Sequence, residues 1–262
     1  MEKLLNRTLR YSVFLLLFWK GVSHFSSAQP YELVFEHAIF IRYYAGFLLV
    51  AISATALLPL SILKFPNFKW GFLLASLLLI LHSYCGYVKV GYLPEQFVEH
   101  SLQMALPFLL FLQLYNEERT HRFVVWTLRI SLALTFIGHG TFALGYHVLP
   151  DHFVRMTSVI LGLDGVVAKQ FLFIIGCLDF VAAVLMFVPK TQVVALGYLF
   201  VWGFLTALAR PFSHLEDIQT VEFYTVHLPN ALYRLPHGLI PLMFYLLSTK
   251  KKQVKRFDVS YL

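Results

Sequence analysis

Eight stretches of about 20 apolar residues, each long enough to cross a bilayer as an α-helix, take up most of this chain. They span 9–25, 40–63, 70–88, 98–115, 123–144, 168–188, 193–211 and 228–247. Charged residues make up 13% of the sequence and hydrophobic ones 58%, against roughly 25% charged in an ordinary globular domain. So few charges cannot cover a soluble surface, whereas lipid contact removes the need for them. Aromatic residues near the segment ends suit interfacial belts. The expected fold class is all-α: a polytopic membrane bundle of eight transmembrane helices.

The eight segments read as one set of four written twice. Thr8-Leu9-Arg10-Tyr11-Ser12, leading to Lys20-Gly21, recurs as Thr127-Leu128-Arg129-Ile130-Ser131 leading to His139-Gly140. In the next segment Gly46 and Pro59 keep the same spacing as Gly176 and Pro189. When Pro107 is laid on Pro241, His100 falls at Arg234 and Gln103 at His237. The expected organisation is therefore a first four-helix repeat over 1–118, a second over 119–249 and a basic tail over 250–262. With an even number of spans per repeat, the two are parallel, related by an axis along the membrane normal.

Basic residues set the expected sidedness. Lys3, Arg7 and Arg10, then Lys64 and Lys69, Arg119 and Arg122, Lys190, and the tail fall on one side. Glu32 and Glu36, Glu95 and Glu99, Asp151 and Asp164, and Glu216, Asp217 and Glu222 fall on the other. By the positive-inside rule both termini are cytoplasmic. The first segment has signal-peptide features, with Ser26-Ser27-Ala28 after its apolar core. Lys20 interrupts that core, and the match to the internal segment at Arg129 argues for a retained helix. The net charge of +7 would suggest nucleic acid in a soluble protein. Here it sits in short loops and the tail, so the expected partner is the bilayer and not nucleic acid.

Ionisable groups at membrane depth are costly and mark functional sites by default. Lys20, His24, His82, His100, His139, Arg210, Arg234 and His237 all fall in the outer half of their spans. Together they point to a polar cavity open to the outer side. Of these, His139, His237, Arg234, Lys20, His24, His82 and His100 are the candidate ligand-binding residues. His139 leads because Gly138 and Gly140 flank it, and Lys20 and His24 are expected opposite. Arg129 and Asp179 lie deeper, within one turn of equal depth, and are expected to form a structural ion pair. Pro107 and Pro241 each release a carbonyl within a helix and are read first as kinks. Cys85 and Cys177 read as small buried hydrophobes, and no metal site is expected.

Arg129 followed by His139-Gly140, then Gly176-Cys177-Leu178-Asp179, resembles the DoxX-like family of four-helix membrane proteins. The likeness covers about 60 residues of the second half. In the first half Lys20 stands where His139 does and Leu49 where Asp179 does, so the two halves have diverged and the second is expected to hold the site. The resemblance implies a bacterial inner-membrane bundle, in some members linked to quinone-coupled oxidation of sulfur compounds.

Three functions are consistent with this reading. The first is a redox-associated protein binding a quinone-like or other small apolar head group, with cations stabilising negative charge and histidines relaying protons. The second is a non-catalytic subunit binding a membrane or outer-side protein partner. The third is a small-molecule transporter, against which no pair of spans looks broken at matching positions. Haem is disfavoured, because the histidines show no regular spacing for bis-histidine ligation. No phosphate loop, zinc-protease helix or nucleophile elbow is present.

Overall fold

The computed structural model describes residues 2–26, 29–63 and 67–259, and within them the chain is helical with no strand. Lys64 and the Ser27-Ala28 pair lie outside the described residues, as do the side chains of the tail from Lys251 on. The long helices are α1 (Glu2–Ser26), α2 (Ala38–Thr55), α4 (Phe68–Lys89), α6 (Ser101–Tyr115), α7 (Glu117–Leu144), α9 (Gly165–Leu185), α10 (Gln192–Phe212) and α12 (Pro236–Val259). Short helices lie between them: α3 (Leu60–Leu63), α5 (Pro94–Val98), α8 (Asp151–Leu161) and α11 (Leu228–Leu232). A 310 turn spans Pro30–Leu33, and a single π-helical turn covers Phe223–His227.

Six helical stretches are long and apolar enough to cross a membrane: Ala38–Thr55, Phe68–Lys89, Pro94–Tyr115, Arg119–Leu144, Gly165–Leu185 and Gln192–Phe212. Helices α1 and α12 are also long, but α1 carries Arg10, Lys20 and His24 along its length and α12 runs into Lys250-Lys251-Lys252. Their position explains that polarity. Helices α1, α6, α7 and α12 pack against one another in the middle of the bundle, while α2, α4, α9 and α10 flank them. One continuous core joins Leu9, Leu16, Leu106, Leu128, Ile240 and Phe244. The flanking helices turn Phe40, Tyr44 and Phe47, Leu77, Val181 and Val184, and Val194 and Val201 outward. Apolar area that continuous on a monomer's outside is what lipid contact requires.

Two expected spans are interrupted. The expected span 40–63 ends at Thr55, and the chain turns through Pro59 into α3. Proline has no backbone N–H to donate, and its ring clashes with the preceding turn of a helix. The expected span 228–247 is split into α11 and α12, with Tyr233, Arg234 and Leu235 between them and Pro236 opening the second piece. The span beginning at 98 has the same form: α5 ends at Val98, Glu99 and His100 break the helix, and α6 begins at Ser101. The last long helix of each half is thus broken, and His100 and Arg234 occupy the two breaks.

Glycine sets how closely the helices cross. A Cβ on Gly21 would stand 2.8 Å from the Gly46 carbonyl oxygen, and one on Gly176 would stand 2.8 Å from that of Gly140. Only hydrogen fits between α1 and α2, or between α7 and α9, at those points. A Cβ on Gly203 would meet the His237 carbonyl oxygen at 2.3 Å. That carbonyl is the one freed by Pro241 four residues on. Pro107 opens the corresponding turn of α6, where the Ser76 hydroxyl donates to the Met104 carbonyl at 2.7 Å.

The expected ion pair is not formed. Asp179, 1% exposed, accepts from the Tyr198 hydroxyl at 2.8 Å, with Trp202 as a second side-chain partner. The Arg129 guanidinium lies 5.0 Å from the Phe244 ring centre, and its buried Nε has no partner. Its counterpart Arg10 instead donates to the carbonyls of Ala56 and Leu58, capping the end of α2. Tyr198 on α10 takes the Asp179 carboxylate instead, so equal depth alone does not pair it with Arg129. Cys85 is buried as expected, but Cys177 is exposed on the outer face of α9.

Candidate functional site

A cavity of about 270 Å³ opens between α7, α8, α9, α10 and the start of α12. Its apolar wall begins with α8, whose Phe153, Met156 and Ile160 repeat at helical spacing and face inward. Ile175 of α9 and Trp202 and Leu205 of α10 continue the wall. The ionisable lining is His139, Asp179, Arg210, Arg234 and His237, with the hydroxyl-bearing Thr157 and Thr206 beside them. Asp179 is already satisfied by Tyr198, which leaves two histidines and two arginines facing the space.

Each polar group is placed by a local backbone feature. Gly138 lets the break between α5 and α6 press onto α7, since a Cβ there would stand 2.5 Å from the Glu99 nitrogen. Glu99 is thereby buried with its carboxylate 3.3 Å from His139 Nδ1. Gly140 serves the α9 crossing. Both glycines beside His139 are therefore used in packing, and His139 is held between Glu99 and the cavity. Its ring stands edge-on to His237 at 5.6 Å between centres. His237 is 3% exposed, and its Nε2 has no partner among the described residues. The α11–α12 break puts Arg234 on the cavity; its guanidinium donates to the Asn230 carbonyl at 2.9 Å and to the Tyr233 hydroxyl. Arg210 sits near the end of α10, and its guanidinium has no hydrogen-bond or ion-pair partner among the described residues.

Of the seven candidate ligand residues, His139, Arg234 and His237 line the cavity, and Lys20, His24, His82 and His100 do not. Lys20 is intercepted by Tyr233, with Nζ 4.6 Å from the ring centre. His24 donates from Nδ1 to the Lys20 carbonyl at 2.6 Å, so its Nε2 accepts from the Tyr31 hydroxyl at 3.0 Å. His82 packs against both rings, 5.3 Å from His24 and 5.7 Å from Tyr31. Burial raises the Tyr31 phenol above its ordinary range, which keeps it a neutral donor. His100 donates from Nδ1 to the Gln96 carbonyl at 2.7 Å, as a residue beside a helix break does. These four form a second polar cluster in the first half, buried in protein rather than facing a cavity.

Three contributors were not among the candidates. Arg210 is read from the sequence for its depth, Glu99 is counted there among the outer-side acids, and α8 falls between the expected spans 123–144 and 168–188. The stripe at 153, 156, 157 and 160 was the available signal for α8. Beside the cavity, His152 on α8 is held at about 4, below the ordinary histidine value, by burial and by the cations Arg210, Arg234 and Arg155. The neighbouring His214 and His227 rings stack at 3.7 Å, and Arg155 donates to His214 Nε2 at 2.9 Å. No group of three or more metal-ligating side chains occurs among the described residues.

Compared with known proteins, the chain matches no family model, no curated protein and no solved structure.

Proposed function

We propose that this chain is an integral membrane protein of eight crossing helices in two parallel repeats, whose second half binds a small lipid-soluble molecule by an oxygen-bearing head group. The observation that carries the reading is the cavity: apolar on its walls, with His139, His237, Arg210 and Arg234 converging at one end. Pockets of this kind bury an apolar body and use a few polar groups to fix its orientation. The unpartnered His237 Nε2 and the open Arg210 guanidinium supply hydrogen-bonding capacity that a carbonyl or similar oxygen would complete. A quinone-like head fits that chemistry, and the DoxX-like resemblance adds a redox role to the proposal. Support for the repeats comes from the paired glycine crossings and the two matching helix breaks.

The breaks also support the transport reading, because paired interrupted helices often hold a substrate site. The binding reading takes precedence because the cavity is lined from the second half alone. The test uses the full chain purified in maltoside detergent. Bound lipids and quinones are extracted and identified by mass spectrometry, and short-tailed ubiquinone and menaquinone are titrated against the thermal midpoint. A co-purifying amphiphile or a saturable midpoint shift, lost in His237→Phe, is expected. Absence of both, with a cavity-filling Leu205→Trp variant behaving as the parent, would overturn the proposal.

A further inference from the structure

We propose that the head group in this cavity is anionic, and that the ligand is a single-chain amphiphile ending in a carboxylate or phosphate monoester. The inference rests on the cavity binding a lipid-soluble molecule and names its chemical class. It comes from a charge imbalance. Arg210 and Arg234 line the cavity, and Lys20 lies behind them on the Tyr233 ring that Arg234 also covers at 4.5 Å. None of the three cations has a carboxylate within ion-pair distance among the described residues.

The two nearby acids are already engaged. Glu99 is taken by Gln96 at 3.1 Å and by His139, and Asp179 by Tyr198. Three cations against two carboxylates, both already held by other side chains, leave the cavity end positive. Cations withdrawn from water with no partner are costly, and an anion brought into the cavity relieves that cost. Two guanidinium groups converging on one space suit the bidentate recognition of carboxylate or phosphate oxygens. His237, 3% exposed with Nε2 unpartnered, adds a third group at the same end.

The remainder of the ligand follows from the walls. At about 270 Å³ the cavity falls just under the range of roughly 300–1,000 Å³ usual for whole small molecules. It holds the head and the first part of a chain. The rest leaves past Ile160, Leu161, Leu205 and Phe212, apolar residues that line the cavity and stay exposed in the folded chain. Free inorganic phosphate would leave that apolar wall unused.

The test measures binding of dodecyl phosphate, dodecanoate, dodecanol, decyl-ubiquinone and inorganic phosphate to the full chain in maltoside micelles, by thermal midpoint and native mass spectrometry. Dodecyl phosphate and dodecanoate should bind at least tenfold more tightly than dodecanol, and inorganic phosphate should not bind. Arg210→Gln and Arg234→Gln should each remove most of that preference, weakening binding of the two anions at least tenfold more than binding of dodecanol. Should Arg234→Gln fail to fold, Arg234→Lys keeps the charge and should retain at least part of the preference. Equal binding of dodecanol or decyl-ubiquinone and the anions overturns the inference while the cavity reading stands. Inorganic phosphate binding as well as dodecyl phosphate overturns the single-chain amphiphile. Binding of none of the chain compounds overturns both.

Discussion

A buried carboxyl held by a phenol and an indole depends on both. Tyr198→Phe keeps the ring and removes only the hydroxyl that donates to Asp179 at 2.8 Å. Leaving a buried acceptor short of its donor costs about 1–3 kcal/mol, so the thermal midpoint in detergent should fall. Arg129→Leu removes a guanidinium whose Nε is already unpartnered, so the double variant should show additive losses, within about 0.5 kcal/mol. A larger coupling between positions 129 and 198 would mean that Arg129 also acts on the Asp179 carboxyl, as the equal depth of the two suggests. The two residues show what sequence could and could not fix. Each was recognised as polar at depth from its place in an apolar run, but which side of its helix met a partner depended on packing. The same holds at the cavity: His139, Arg234 and His237 were placed together, while Lys20 was kept out by Tyr233, an aromatic with no sign of that role in the sequence.

At the scale of elements, close approach and amphipathicity carry the predictions. Gly203→Ala sets a methyl against the His237 carbonyl, where a Cβ stands at 2.3 Å. Forcing α10 and α12 apart should cost about 1–3 kcal/mol, as overpacking does. Gly86→Ala, whose nearest neighbour is the flexible Gln96 side chain at 3.8 Å, should melt with the parent protein. Equal midpoints for the two variants would mean that the α10–α12 crossing is looser than described. Helix α8 supplies a pH test. His152 is held at about 4 in the folded protein, whereas the unfolded chain takes its proton near the ordinary value of about 6.5. The folded state thus resists a proton that the unfolded state accepts. Stability is full above about pH 6.5 and declines as pH falls towards 4. Midpoints measured between pH 7.5 and 4.5 should fall on acidification, and His152→Gln should flatten part of that fall. An unchanged slope would remove His152 from the account. The long helices were legible because about 20 apolar residues leave little else to form. The breaks were not, since Tyr233 and Leu235 keep the apolar run continuous while Pro236 ends one helix and begins another. Helix α8 has 11 residues, too few for a span, and was passed over for that reason.

The molecule as a whole has a central set of polar-bearing helices wrapped by apolar ones, and this order determines what a bilayer would see. The proposed crossings by α1 and α12 require that α2, α10 and their neighbours cover Lys20, His24 and His237, and all three are buried. The short helices α5, α8 and α11, with the cavity beside them, fall in alternate connections and so gather at one end of the bundle. The basic connections at Lys69, Arg119 and Lys190 fall at the other. An eight-crossing chain obeying the positive-inside rule therefore has the cavity end outside and Lys190 inside. Glu95 is a poor reporter of this, being buried and bonded to His147 at 3.0 Å. Exposed Asp151 and half-buried Asp217, in two cavity-end segments, are better, and half-buried Lys69 and exposed Lys190 represent the opposite end. In a background of Cys85→Ala and Cys177→Ser, single cysteines at 151 and 217 should react with a membrane-impermeant maleimide added to intact cells. Those at 69 and 190 should react only after lysis. A label at both 190 and 217 in intact cells would mean that α10 does not cross. Labelling at 69 and 190 alone would invert the whole molecule and put the cavity on the cytoplasmic side, where a ligand from that leaflet would have to reach it.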